Sequence, residues 1–160
     1  MLFRSVAELA EAGVVMGLGT SGGGSNDTGH LLADARLALQ VSGLVGPQLP
    51  ARDVLTMATR GGARAAGQGD DLGALEPGRL ADLVVVDLDS VFVAPVHRVV
   101  SALVFNVTPR EVRHVIVDGR PVIRDRRLVV ADEHAELRRA MGACRELFAR
   151  AGLGQPLRVD

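Results

Sequence analysis

The sequence contains no lysine, no tryptophan and no tyrosine, and only four phenylalanines among 160 residues. Every basic side chain is therefore an arginine. That excludes a phosphate-binding loop built on lysine and any mechanism passing through a lysine Schiff base. So few aromatic rings give no platform for stacking nucleobases. A net charge of −1 leaves no electrostatic footprint for a nucleic acid. The single cysteine, Cys144, can form no internal disulfide and fits a reducing cytoplasm. It shares a helical pattern with Met141, Leu147 and Phe148, which reads as a buried structural thiol. No apolar run approaches the ~20 residues of a membrane span. The opening "MLFRSVAELAEAG" carries Glu8 and Glu11 at helical spacing, unlike a signal peptide. The expectation is a cytoplasmic protein with no nucleic-acid or membrane partner.

What is present is 48% hydrophobic and 23% charged, the balance of a globular chain. Its length suits one domain, or one domain with an appendage. Residues 3–12 set Phe3, Val6, Leu9 and Ala10 on one helical face, closed by Gly13. "VVMGL", 14–18, reads as a buried, parallel-type strand. Leu31, Leu32, Ala35, Leu39 and Leu44 predict a helix with Asp27 or Thr28 as its N-cap. Pro50 opens another helix, with Val54, Leu55, Met57, Ala58 and Ala65 as its apolar side, ending in glycines near Gly67. "DLVVVDL", 82–88, predicts a strand, and "HRVVSALVFN" a short helix. Residues 111–130 read as a hairpin about Asp118-Gly119, since both turn positions need positive φ. From Ala131 to about Ala151 the chain is helical and arginine-rich.

Between strand and helix lies "GLGTSGGGSND", 17–27. Gly17, Gly19 and Gly22 fit G-x-G-x-x-G, the dinucleotide fingerprint, but no helix opens at the third glycine to meet a pyrophosphate. Gly19-Thr20-Ser21-Gly22-Gly23 fits G-x-S-x-G, the serine-hydrolase elbow. Asp82, Asp87 or Asp118 would then supply the acid, and His97, His114 or His134 the base. That fold needs several parallel strands before the elbow, and only one strand's worth of sequence precedes it.

The flanking sequence points elsewhere. "VVMGLGTSGGGSNDTGHLLADARLALQ" resembles the last barrel strand, loop and helix of the metal-dependent amidohydrolase superfamily. "MATRGGARAAGQGDDLGALEPGRLADLVVVDLD" and "VRHVIVDGRPVIRDRRLV" are similar to its run through a C-terminal β layer. The nearest branch is that of aminohydrolases acting on purine, pterin and triazine rings, including oxoguanine deaminases. The resemblance covers about residues 1 to 150. It implies an α/β fold: the C-terminal fragment of a (β/α)8 barrel, with part of a small β-sandwich and a C-terminal helix. The expected divisions are 1–68, 69–130 and 131–160.

The same resemblance implies zinc or iron at the barrel mouth, held by histidines and by an Asp ending the last strand. The metal makes hydroxide available near neutral pH, and the Asp handles the proton as water attacks the ring carbon bearing an amine. Here the Asp position of the pattern G-x-D-G-x-x-S-N-D is Ser21, whose neutral hydroxyl offers neither charge nor base. Asp27, six residues on, belongs to the matched S-N-D triplet. No H-x-H occurs, and His30, His97, His114 and His134 are scattered without metal-ligand spacing. Ser25 and Asn26 are expected to pin the loop or face the substrate, a small N-heterocycle. A whole barrel takes ~250 residues, so the expectation is the C-terminal portion of a C–N hydrolase, inactive alone. It would self-associate or pair with the missing strands and would hold no catalytic metal tightly. The alternatives are a serine hydrolase with nucleophile Ser21 and a noncatalytic interaction module.

Overall fold

The computed structural model describes residues 6–22, 26 and 28–154. Among these residues, six α-helices and four strands follow in the order α1 (Val6–Glu11), α2 (Leu31–Val45), α3 (Ala51–Thr56), α4 (Gly62–Ala65), β1 (Leu83–Val86), α5 (Val99–Phe105), β2 (Val112–Val117), β3 (Arg120–Arg124), β4 (Arg127–Leu128) and α6 (Glu133–Arg150). Gly13 ends α1 at φ 73°, donating its N–H to the Ala10 carbonyl. That is the helix stop its lack of a β-carbon makes cheap.

The helical half holds one core. Ala7, Ala35, Leu39, Leu49, Val54 and Val104 are buried together, so α1, α2, α3 and α5 share one interior. Buried Ser42 donates to the Leu39 carbonyl at 2.7 Å and accepts from Leu49 N–H at 3.0 Å. Its hydroxyl thus fixes the turn between α2 and α3. Arg36 reaches from α2 to the Val104 and Val107 carbonyls at 3.1 and 3.2 Å, satisfying acceptors at and beyond the end of α5. A second cluster, Val93, Ala102 and Val107, is flanked by Val86 and Leu88 and joins α5 to the end of β1.

The four strands form one antiparallel sheet in chain order. Asp118 and Gly119 have φ of 49° and 73°, giving the predicted two-residue turn. Asp82 accepts from the Asp118 N–H at 2.7 Å, tying the turn to the start of β1. A second turn of the same hand, Asp125-Arg126, joins β3 to β4 without any glycine. Its side chains hold it instead. Arg113 Nε donates to Asp125, His114 Nδ1 accepts from Asp125 N–H, and Arg126 reaches Asp87 at 2.7 Å.

Four expectations are corrected. Residues 14–18 form no strand, and Val14 and Val15 are 48% and 57% exposed, because among the described residues no strand lies alongside to bury and pair them. The N-cap of α2 is His30 rather than Thr28; Asp27 lies outside the described residues. Thr28 is instead drawn into the preceding loop by Asn26. The helix from Pro50 is broken by a π turn, Met57–Gly61. Cys144 is half-buried rather than buried, since no residue of α6 is buried.

The exposed apolar side chains form stripes. Leu37, Val41 and Leu44 lie at helical spacing along α2, and no apolar residue of β1–β4 is buried. A folded monomer of 16.8 kDa exposes roughly 7,700 Å². This chain exposes 11704 Å².

Candidate functional site

The glycine loop is built on its stem. A β-carbon on Gly17 would lie 2.7 Å from Gly62 Cα, and one on Gly61 only 2.2 Å from the Met16 carbonyl oxygen. The two backbones therefore touch where no side chain intervenes, which requires glycine at each position. The next residue, Leu18, donates its N–H to the Met57 carbonyl at 3.1 Å. The same carbonyl accepts from Gly62 N–H, closing the π turn. Such a turn inside a helix often marks a functional position. Here it presents a carbonyl to the incoming strand-like segment and sets the register of the loop.

Ser21 stands at the tip with φ 61°, the left-handed region. For a residue with a β-carbon this conformation costs about 1–2 kcal/mol, and such residues point toward function rather than follow from it. The Thr20 hydroxyl donates to the Ser21 carbonyl at 3.4 Å. Downstream, Asn26 N–H donates to the Gly22 carbonyl, folding the loop back on itself. The Asn26 amide is used at both ends. Its nitrogen donates to Asp34 of α2 at 3.1 and 3.2 Å, and its oxygen accepts from the Thr28 N–H and hydroxyl. Ser25 lies outside the described residues.

The scattered histidines are not drawn together. Among the described residues no group of three His, Cys, Asp or Glu side chains could hold a metal ion. The acids considered for a serine hydrolase have structural work: Asp82 holds the Asp118 turn and Asp87 pairs with Arg126. The Arg126 hydrogen bond, with that of the Asp89 N–H, keeps the Asp87 carboxyl below its ordinary range. Sequence reasoning missed Met57, Gly61 and Gly62 as the loop's support. The signal was the Gly61-Gly62 pair inside an otherwise continuous helical pattern.

Residues 3–122 match the amidohydrolase family model. The chain belongs to the amidohydrolase family. It is 42% identical over 150 residues to a 5-methylthioadenosine/S-adenosylhomocysteine deaminase of Halobacterium salinarum, covering 92% of this chain and 34% of that protein. A 5′-deoxyadenosine deaminase of Methanosarcina mazei is 37% identical over 148 residues, 91% of this chain and 34% of that one. Among solved structures, a zinc-bound adenosine deaminase from Xanthomonas campestris superposes with a TM-score of 0.83 at 35% identity, covering 86% of this chain and 32% of that one. A mutant of atrazine chlorohydrolase from Arthrobacter aurescens, complexed with zinc and atraton, gives 0.81 at 36% identity, covering 86% and 31%. This amidohydrolase chain thus spans about a third of the length of the relatives it matches. The serine-hydrolase alternative finds no support in these matches. No helix among the described residues is long and apolar enough to cross a membrane.

Proposed function

We propose that this chain is the closing third of a deaminase-type amidohydrolase and contributes one wall of a site for a small N-heterocycle. In the whole fold, Val14–Leu18 lies as the last strand of a (β/α)8 barrel and Gly19–Gly22 lies on the rim above it. The divisions 1–68, 69–130 and 131–160 then correspond to barrel end, small β layer and terminal helix. Ligand sites in such barrels sit at the C-terminal ends of the strands, where this loop would stand. Its relatives' names describe deamination of adenosine-like compounds. The chain alone does not carry out that reaction. A cytoplasmic location fits its lone thiol.

The observation that carries this reading is surface. About 4,000 Å² beyond a monomer's expectation is exposed, more than a standard interface removes from both partners together. Val14, Val15, Leu37, Val41 and Leu44 stand in that surface as bare apolar groups. The remaining two thirds of the fold would cover them.

The zinc of the solved relatives does not fit the residues present. Ser21 offers a neutral oxygen where the family resemblance implies a carboxylate, and the described residues hold no ligand cluster. The same holds for iron. No hydrolytic step through a metal is therefore assigned to this chain.

The test is assembly. Light scattering on the chain alone is expected to show self-association. Mixed with the separately produced remainder of the Halobacterium deaminase, it is expected to form a 1:1 complex that unfolds in one transition. A stable monomer that unfolds cooperatively and ignores that fragment would overturn the proposal.

A further inference from the structure

The last helix, α6, turns an apolar face to solvent. Asp132 caps it, accepting from the Ala135 N–H at 3.1 Å, and none of its 18 residues is buried. Leu137, Ala140, Cys144, Leu147 and the C-cap Ala151 recur at alternating spacings of three and four, the period that keeps a stripe on one side of a helix. Leu137 and Leu147 are 59% and 56% exposed, Ala140 and Ala151 are exposed, and Cys144 is half-buried. Half-buried Met141 and Phe148 widen the stripe along one edge. Its other edge carries Glu136 near the start of the helix, Ala143 at the middle and Arg150 at the end. A helix of this length extends about 27 Å, and uncovered apolar stripes mark contact surfaces.

The stripe is its own complement when reversed. An antiparallel copy sets its Ala151 level with Leu137 and its Ala140 level with Leu147, so large side chains meet small ones. The small residues Ala140, Ala143 and Cys144 lie at the centre, where two helices must approach most closely. Charge selects the same orientation. Residues along this edge face each other only when the helices run oppositely, and Glu136 then meets Arg150 of the second copy, twice by symmetry. In a parallel pair Glu136 would meet the Met141 edge and no cation. Within one copy Glu136 pairs with Arg139 at 3.2 Å, an exposed contact of little strength.

We propose that α6 is a self-recognition helix: two copies of this chain pair antiparallel through the stripe from Leu137 to Ala151, on a two-fold axis that passes beside Cys144. This surface lies on a different element from the α2 stripe, and the partner it fits is a second copy of the same helix.

Cys144 is the sole cysteine, so cross-linking by a bismaleimide reaching about 10 Å, the spacing of packed helix axes, reads α6 alone. The full chain is expected to give a cross-linked dimer whose yield saturates with concentration. Leu147→Glu is expected to raise the half-maximal concentration at least about a hundredfold, and the milder Leu137→Ser to act in the same direction. Leu44→Glu, on α2, is expected to leave it unchanged. Glu136→Arg and Arg150→Glu are each expected to raise it about two- to tenfold, and the double variant to restore it. Far-ultraviolet circular dichroism checks that each variant keeps its helices. The cross-link is also expected to persist when the full chain is mixed with the separately produced remainder of the Halobacterium deaminase. No dimer, or a dimer that neither Leu147→Glu nor Leu137→Ser weakens, overturns the proposal. Charge reversals that the double variant does not restore overturn the antiparallel pairing. Loss of the cross-link on adding the remainder assigns the stripe to the rest of the fold and overturns the proposal as well.

Discussion

Gly61→Ala sets two opposing effects against each other, and the structure decides the sign. Gly61 has helical backbone angles, φ −65° and ψ −46°. At such a position alanine is ordinarily better than glycine by about 1 kcal/mol. The new methyl, however, would lie 2.2 Å from the Met16 carbonyl oxygen and 3.1 Å from that of Thr56. Both are backbone atoms that cannot rotate away, so the 16–18 segment must retreat by over an ångström. That movement strains or breaks the Leu18 to Met57 hydrogen bond, worth about 1 kcal/mol. Forced overpacking of this kind costs about 1–3 kcal/mol. The net expectation is a loss of about 1–3 kcal/mol, or roughly 3–10 °C in Tm for a chain of this size. Gly142→Ala is the matched control. It lies within α6, where a β-carbon meets nothing within 4 Å, so the same substitution should stabilise by about 0.5–1 kcal/mol. Urea unfolding followed by far-ultraviolet circular dichroism, with all variants at one protein concentration, measures both. Gly61→Ala matching or exceeding the parent in stability would refute the close packing of loop stem on π turn.

Three further outcomes follow from single residues. Gly119→Ala, at φ 73° in the β2–β3 turn, should destabilise by about 1 kcal/mol, read as a lower urea midpoint at unchanged slope. Ser21→Gly should leave the chain no less stable, because it relieves a left-handed β-carbon; a fall of more than about 1 kcal/mol would mean the side chain supports the fold. Glu111 is 1% exposed and accepts from the Thr108 hydroxyl at 2.7 Å, the Thr108 N–H at 2.9 Å and the Ser90 hydroxyl at 3.4 Å. The Thr108 hydroxyl chiefly holds its carboxyl below the ordinary glutamate range, against the upward pull of burial. A depressed folded-state value means stability that is complete above the ordinary glutamate range and lost as the pH falls through the lowered value. Acid titration of the unfolding midpoint should show that loss in the parent and not in Glu111→Gln, which should also be less stable at neutral pH.

The elements set by local chemistry were legible in the sequence, and those set by neighbours were not. Gly13 and Asp118-Gly119 announce their turns because the backbone there needs φ that glycine or aspartate supplies. The helix Val99–Phe105 and the long α6 follow from apolar spacing alone. "VVMGL" reads as a buried strand because it is a compact apolar run, yet among the described residues no strand pairs with it. Cys144 misled in the same way: its stripe with Met141 and Phe148 is apolar, but it is only half-buried. The Asp125-Arg126 turn escaped notice because it carries no glycine and depends on contacts to Arg113, His114 and Asp87 that only the folded sheet brings near. At the candidate site, Ser21 was visible as an anomaly in a motif, whereas its left-handed backbone and the Met57 carbonyl beneath the stem needed coordinates.

The side-chain hydrogen bonds that fasten the connection from α4 to β1, beside those of its own backbone, come from guanidinium groups. Glu76 lies between Arg60 at 2.6 Å and Arg79 at 2.8 Å, and Arg79 also donates to the Gly69 and Leu72 carbonyls. Ammonium groups in those places would shed their protons near pH 10.4, while guanidinium keeps its charge beyond about pH 12. In a chain without lysine, every such clasp shares that property. Strong alkali should therefore leave this junction fastened, and amine-directed crosslinkers should find no side chain anywhere along it to seize.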